Sequence, residues 1–338
     1  MDQEERFQQS GTRERNLAME LVRVTESAAL SAGRWMGKGN KEMVDQAAVD
    51  AMRAAVDGVD MDGVVVIGEG EKDEAPMLYI GEHVGNGQGP EVDVAVDPVD
   101  GTRLLSLGLP GALAVVATAE RGTMYSAPPG VFYMEKIAVG PTGRNVIDIN
   151  APVAVNLDRL ARARDAHIDD LTVVILDRPR HQDIIRQIRE VGARIRLISD
   201  GDVSAAIQAA MDEYTGVDVL MGMGGAPEAV LAAAALKCLG GEIQCKVWPR
   251  NKEEAEKLKS EGVDLNQVLR TEDLVKGDDV SFAATGITSG ELLEGVQYFG
   301  WGAHTASVMM RTRSGTVRFI QARHKWRTSN NSLGRLRV

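Results

Sequence analysis

Residues 93–103 read Asp93-Val-Ala-Val-Asp-Pro-Val-Asp-Gly-Thr-Arg103. Val92, Val94 and Val96 alternate with Asp93 and Ala95, the period of a strand. The run then meets Asp97, Pro98, Val99, Asp100, Gly101 and Thr102. Pro98 cannot donate a ladder hydrogen bond and Gly101 tolerates positive φ, so a turn is expected to end the strand here. That turn presents two carboxylates, three residues apart, and a hydroxyl at one strand end. Carboxylates packed so closely repel, and a hard divalent cation with oxygen ligands relieves them. For a lone Asp-x-x-Asp the competing reading is an ordinary polar turn, because Asp and Gly are common turn residues.

The neighbouring sequence sharpens the choice. Gly63-Val-Val-Val-Ile-Gly-Glu-Gly-Glu-Lys-Asp-Glu74 is a second apolar strand that ends in Glu69, Glu71, Asp73 and Glu74. Two adjacent strands finishing in acids would bring those acids to one rim of a sheet. Upstream, Lys41, Glu42 and Asp45 open an Ala-rich helical stretch. Taken alone, Lys41 and Asp45 read as a solvent-facing i,i+4 pair.

Apolar spacing predicts helices over 17–38 and 41–57, and strands over 63–68, 92–97, 113–119 and 133–139. From about residue 171 strands and helices alternate: strands over 171–176, 193–199 and 217–221, helices over 182–191, 203–211 and 227–239. That rhythm predicts a parallel or mixed sheet covered by helices. A charged helix over 252–261 follows, then strands near 280–285, 305–311 and 315–321. The expected division is a mobile arm over 1–16, one domain over 17–160, and an α/β domain over 161–338 with a basic tail.

The chain of 338 residues carries a net charge of −11, which argues against nucleic-acid or anionic-membrane binding. No apolar run reaches transmembrane length and no signal-like segment opens the sequence. Two cysteines are too few for a disulfide framework or a zinc-ligand set, so cytoplasm is the simplest address. The charge is uneven, for no Asp or Glu occurs from Gly295 to Val338. An exposed hairpin with a frayed tail is expected there, ahead of an anion-binding or oligomer surface.

An acidic helix, a strand ending in Gly-Glu and a strand ending in Asp-Pro-x-Asp-Gly-Thr resemble the metal-dependent sugar and inositol phosphatases. Ile67-Gly-Glu-Gly-Glu, Asp73-Glu-Ala-Pro-Met-Leu-Tyr-Ile-Gly-Glu, Tyr133-Met-Glu-Lys, Arg178-Pro-Arg-His, Asp200-Gly-Asp-Val and Gly224-Gly-Ala-Pro-Glu narrow the resemblance. Together they look like class II fructose-1,6-bisphosphatase, from about Leu17 to about His324. The resemblance implies an α/β (α+β) fold of alternating α-β-α-β-α layers. It also implies hydrolysis of the 1-phosphate of fructose 1,6-bisphosphate, a reaction of gluconeogenesis, with Mg²⁺ or Mn²⁺. One ion would lie on Asp45 and Glu69, a second on Asp97, Asp100 and Glu228. Thr102 would orient or deprotonate the attacking water, with Asp45 and Glu69 beside it. Lys41 and Asp73 match further positions of the family site.

Substrate contacts implied by the same pattern are Asp100, Gly101, Thr102, Tyr133, Arg178, Pro179, Arg180, Asp200, Gly201, Asp202 and Gly225. Guanidinium forks at a strand end suit a phosphate. Asp202 could instead cap a helix, and Gly224-Gly225 could offer backbone N–H groups near a helix N-terminus. Relatives commonly assemble, so a homodimer or homotetramer is expected.

Three alternatives remain open. A dual fructose-1,6-/sedoheptulose-1,7-bisphosphatase would use the same residues. A dinucleotide-binding oxidoreductase would use Gly222-Met-Gly-Gly-Ala-Pro227 as its loop and Glu242 as its ribose acid. A third reading makes the basic C-terminal segment a nucleic-acid or partner-binding element.

Overall fold

The computed structural model describes residues 17–70, 77–211 and 215–326. The arm over 1–16, Glu71, Asp73, Glu74 and the tail beyond residue 326 lie outside the described residues. In chain order the helices and strands begin with α1 (Leu17–Ala32), α2 (Lys41–Val56), β1 (Asp62–Ile67), β2 (His83–Val84) and β3 (Glu91–Asp100). Next come α3 (Thr102–Leu107), β4 (Leu113–Glu120), β5 (Tyr133–Val139), α4 (Val153–Ala163), β6 (Thr172–Leu176) and α5 (Gln182–Glu190). Then follow β7 (Arg194–Ile198), α6 (Asp202–Ala210), β8 (Val219–Gly225), α7 (Ala226–Leu239), β9 (Glu242–Val247) and α8 (Lys252–Ser260). The series closes with β10 (Leu269–Arg270), α9 (Thr271–Leu274), β11 (Ser281–Gly286), β12 (Gln297–Phe299), β13 (Gly302–Arg311) and β14 (Thr316–Lys325).

Helices packed on open sheets make the α/β layered class plain. The chain divides into two units, one of Met1–Gly122 with Ser281–Val338, the other of Thr123–Val280. This departs from the break expected at residue 160. Strand pairing is the cause: β11 pairs with β4 from Ser281↔Thr118 to Gly286↔Leu113, which ties the C-terminal strands to the first unit. Strand β5, expected in the first half, pairs with β8 and β9 inside the second unit. The Arg- and Asp-rich helix at the expected break is α4, whose Leu157 and Leu160 are buried in the second unit.

In the first unit the sheet order is β12-β13-β11-β4-β3-β1-β2, with β14 also paired to β13. Among the described residues of this sheet only β1 and β3 run parallel, so both strands end at the same rim. Helix α1 lays Leu21, Val24 and Ala28 on Val94, Val96, Val116 and Ala283, each such large side chain contributing roughly 1.5–3 kcal/mol. It stops at Ala32 rather than residue 38, and a short 3₁₀ turn follows over Gly33–Trp35. There the Tyr298 hydroxyl donates to Leu30 O at 2.9 Å, and a Cβ on Gly33 would come within 2.6 Å of the Tyr298 hydroxyl oxygen. Helix α2 starts where Asn40 accepts the Met43 N–H at 3.0 Å, a cap worth about 1 kcal/mol.

The quoted stretch differs from expectation in one respect. Strand β3 does not turn at Pro98 but runs on to Asp100, with the register to β4 passing from Asp97↔Val115 to Asp100↔Leu113. The bulge holds one extra residue on β3, which accommodates the missing N–H of Pro98. The Val99 N–H turns inward and donates to Asp97 Oδ1 at 3.0 Å. Gly101, at φ +96°, then reverses the chain into α3, a short helix the sequence pattern did not suggest.

In the second unit the order is β10-β9-β5-β8-β6-β7. Strands β6, β7 and β8 are mutually parallel and β5 runs against β8, giving a mixed sheet. Leu157 and Leu160 of α4 and Ile185 and Ile188 of α5 pack with Ile137, Val139, Val173, Ile175 and Val219. Helices α6 and α7 pack on each other and on β5 and β8. No helix among the described residues is long and apolar enough to cross a membrane.

Candidate active site

In the first unit the parallel pairing of β1 and β3 brings Glu69, just past β1, to the rim where β3 delivers Asp97 and Asp100. The Glu69 N–H is fixed on Leu78 O at 3.0 Å. Asp45 stands on the second turn of α2. Thr102, the first residue of α3, donates its hydroxyl to Asp45 Oδ1 at 2.7 Å. Asp45, Glu69 and Thr102 are thus brought together, although 57 residues separate Asp45 from Thr102.

Nothing in this group neutralises the acids fully. Glu69 keeps an open side to solvent, yet lost hydration, then the nearby Asp45 charge, pushes its carboxyl up to about 7. Asp45 is also raised by burial, against the opposing pull of the Thr102 hydrogen bond and the Lys41 charge. Two carboxylates that burial and mutual repulsion both disfavour form an all-oxygen donor pair suited to a hard divalent cation. Asp100 is buried, 5% exposed, and Asp97 is half-buried. Among the described residues no three His, Cys, Asp or Glu side chains are gathered closely enough to form a ready cation site.

In the second unit every expected substrate residue lies on one rim of the sheet. The rim is formed by the C-terminal ends of β6, β7 and β8 and the N-terminal end of antiparallel β5, where α/β sheets take ligands. Tyr133 opens β5. Its ring lies under the Arg180 guanidinium, 5.2 Å from the centroid, and meets Trp248 edge-on at 6.3 Å. Arg178 follows β6 and pairs with Asp200 at 2.6 Å. Pro179 opens the 3₁₀ turn that carries Arg180. Arg180 donates Nε and Nη2 to Met223 O, at 3.2 and 2.8 Å.

Gly201, at φ +86°, occupies the N-cap position of α6. Asp202 therefore caps nothing: it is the first helical residue, and its carboxylate takes Lys136 Nζ at 2.6 Å. Lys136 is the residue that sequence reasoning missed. It is buried at the middle of β5, 3% exposed. Burial lowers its pKa, but the Asp202 and Glu228 carboxylates more than offset this and hold the ammonium charged. The available signal was a lysine in strand alternation with Met134 and Ala138, two apolar residues that share its face and are both buried.

Glu228 lies in the first turn of α7. Burial, then the Asp202 charge, raises its pKa against the pull of Lys136. Its Oε2 is shut away from solvent with no hydrogen-bond partner among the described residues, which fits an oxygen kept for a cation. The adjoining glycines make room: a Cβ on Gly224 would strike the Asp202 carboxylate, and one on Gly225 the Glu228 carboxylate. The dinucleotide reading fails on the same ground. Gly222 to Gly225 belong to β8 rather than a loop, and Glu242, 5% exposed, is bonded to Asn145 N, Gln244 and Arg270.

Comparison with known proteins shows the family. Residues 15–324 match the family model described as bacterial fructose-1,6-bisphosphatase, glpX-encoded. A protein of Synechococcus sp. strain JA-2-3B'a(2-13), named D-fructose 1,6-bisphosphatase class 2/sedoheptulose 1,7-bisphosphatase, is 45% identical over 91% of this chain and 95% of its own. A protein of the same name from Thermosynechococcus vestitus is 44% identical over 94% of this chain and 98% of its own. Among solved structures, an extragenic suppressor from Pyrococcus furiosus aligns with 57% of this chain and 69% of its own at 11% identity. Its TM-score of 0.29 is too low to speak for the fold.

Proposed function

The chain belongs to the bacterial fructose-1,6-bisphosphatase family of metal-dependent phosphoric monoester hydrolases and acts on fructose 1,6-bisphosphate, and we propose which residues do the work. Asp45, Glu69, Asp97 and Asp100 handle the phosphate that is cut, and Glu228 offers a further carboxylate to a cation. When bound, Mg²⁺ or Mn²⁺ supplies charge for the phosphoryl oxygens and acidity for water. Thr102 orients the attacking water: its proton points to Asp45 Oδ1, so its lone pairs face outward to accept from that water. Asp45, raised by burial, stands ready to take the proton through the hydroxyl.

Arg178, Pro179, Arg180, Tyr133, Asp200, Gly201, Asp202 and Gly225 recognise the sugar phosphate, while Gly101 and Asp100 line the reacting end. The observation that carries this reading is the 2.7 Å Thr102–Asp45 contact beside a Glu69 carboxyl pushed up to about 7. Phosphate release from fructose 1,6-bisphosphate with Mg²⁺ or Mn²⁺ tests it. Asp100→Ala should lose about 10²-fold or more in kcat, and undiminished activity in that variant sinks the assignment.

Sedoheptulose 1,7-bisphosphate is a second substrate. The two relatives are named for both sugars, and two arginines grip a phosphate without measuring the carbon chain. Comparable kcat/KM for the two bisphosphates would support this. A cytoplasmic address belongs to the same reading, supported by two cysteines that no disulfide joins. So does a homo-oligomer, dimer or tetramer. It is supported by the edge strand β14, whose Phe319 is 55% exposed, and light scattering measures it.

A further inference from the structure

The strand ends that present Arg178 and Arg180 are not held together by the ladder. Strand β6 pairs with β8 only at Val173↔Val219 and Val174↔Leu220. Beyond Leu220 the β6 side of β8 needs other partners for its backbone groups. Gly222 departs there from strand conformation at φ +132°.

His181 fills the gap. The side chain is fully buried. Its Nδ1 lies 2.7 Å from Leu176 O, at the end of β6, and its Nε2 lies 2.7 Å from Met223 N, near the end of β8. A carbonyl oxygen can only accept and a backbone N–H can only donate. Nδ1 must therefore carry the proton and Nε2 must be bare, so the partners dictate one neutral tautomer. Burial, joined by the Arg180 and Arg178 charges, lowers the imidazole pKa against the hydrogen bond to Leu176 O, in keeping with that form. The fit is close, for a Cβ on Gly222 would come within 2.9 Å of Nε2. The preceding residue completes the grip: Arg180 donates to Met223 O while His181 accepts from Met223 N–H. Adjacent side chains thus hold both polar backbone atoms of one residue on β8.

We propose that His181 is a positioning residue for sugar-phosphate recognition, acting as a neutral hydrogen-bond bridge from β6 to β8. The bridge fixes Met223, and Met223 O in turn fixes the Arg180 guanidinium above Tyr133. Nη1, the arm of the fork not spent on Met223, is thereby aimed at an anion. The inference rests on the reading of Arg180 as a phosphate ligand.

Two near-isosteres separate the bonds. Glutamine places an oxygen where Nε2 lies and keeps the acceptor for Met223. Asparagine places its amide where Nδ1 lies, so it keeps the donor to Leu176 and strands the Met223 N–H. His181→Asn should raise KM for fructose 1,6-bisphosphate about tenfold or more, with a much smaller change in kcat, while His181→Gln restores KM toward wild type. Turnover of p-nitrophenyl phosphate, which has no second phosphate, should fall far less than that of the bisphosphate in His181→Asn. In ¹⁵N spectra of the full chain, the resonance that disappears in His181→Gln should report a neutral Nδ1–H imidazole between about pH 6 and pH 8.

Arg180→Ala serves as the reference. If it leaves KM unchanged, the phosphate reading of Arg180 fails whatever His181 does. If it raises KM while His181→Asn leaves KM unchanged, the bridge is overturned. Equal losses in KM and kcat for both histidine variants, or a protonated His181 in that pH range, would overturn it too.

Discussion

Replacing Lys136 by methionine tests the second unit's electrostatics. The ammonium lies 2.6 Å from Asp202 Oδ2, with side-chain exposures of 2% and 9%, and it also faces Glu228. Methionine matches the stem and removes the charge. Two carboxylates then remain in a site where lost hydration has nothing to offset it. Breaking a buried pair from one side costs about 3–5 kcal/mol, because the surviving charge is stranded. At about 2–4 °C per kcal/mol for a domain of this size, Tm should drop by about 6–20 °C.

The pH dependence carries the sign. Glu228 is already raised by burial and by Asp202, and loss of the ammonium raises it further. An acid whose folded pKa is raised binds its proton more tightly in the folded state than in the unfolded one. The deficit of Lys136→Met is therefore largest above the raised folded pKa and shrinks as pH falls toward the unfolded value. Thermal unfolding with a chelator present, across a pH series, measures both effects. The double variant Lys136→Met/Asp202→Asn should be less destabilised than the sum of the singles, because the second change removes the stranded charge. A Tm for Lys136→Met within about 2 °C of wild type, or strict additivity in the cycle, would refute the view of Lys136 as a buried counter-ion.

Thr102→Val keeps the shape and removes the hydroxyl. It should lower kcat by about 10²-fold or more with KM little changed, measured as phosphate release, since the water loses its orienting group. Glu69, at about 7 against an ordinary 4.5, must shed its proton to bind a cation. Affinity for Mn²⁺, by calorimetric titration, should therefore climb with pH up to about 7 and then level off, and Asp45→Asn should move that midpoint down. In the ion-free protein the same shift gives a stability contribution present at low pH and lost as pH rises from 4.5 through about 7. Gly225, at φ −64°, has a backbone conformation open to any residue, so Gly225→Ala acts only by pushing on the Glu228 carboxylate. About 10–100-fold weaker metal binding with little change in Tm is expected.

What the sequence disclosed follows from the range of its signals. Helix α2 and strands β1, β3 and β6 to β8 have strong local periodicity, and each was legible within a few residues. The hairpin of β13 and β14 was legible for the same reason. Strand β9 was missed although Glu242, Gln244 and Lys246 alternate with Ile243, Cys245 and Val247 at the period of a strand. In the fold Gln244 is fully buried, accepting from Ile149 N and donating to Ile147 O. The division of the chain was missed because it rests on pairing between β4 and β11, far apart in sequence, which no local window contains. The placing of the candidate residues at strand ends was legible from motif spacing. Lys136 and His181 act through partners on other elements, so spacing alone could not assign them.

The two units treat their carboxylates in opposite ways, and this separates recognition from chemistry. In the second unit Asp202 has its own ammonium, Lys136, and Arg178 pairs with Asp200, so the rim is largely balanced within itself. A balanced rim is preorganised: its groups hold their positions and can meet hydroxyls and phosphate without a large shift in charge. In the first unit the groups opposing the raised pKa of Asp45 are a hydroxyl and the exposed Lys41, and nothing opposes that of Glu69. That deficit of positive charge costs stability in the free protein. It would also favour the cation proposed for these acids, since the repulsion an ion relieves is part of its binding free energy. Glu228 belongs with the second unit by fold, yet its buried Oε2 has no partner and its pKa is raised in spite of Lys136. By the same physics it suits the cation role proposed for it, and Lys136 offsets part of the cost of keeping it there.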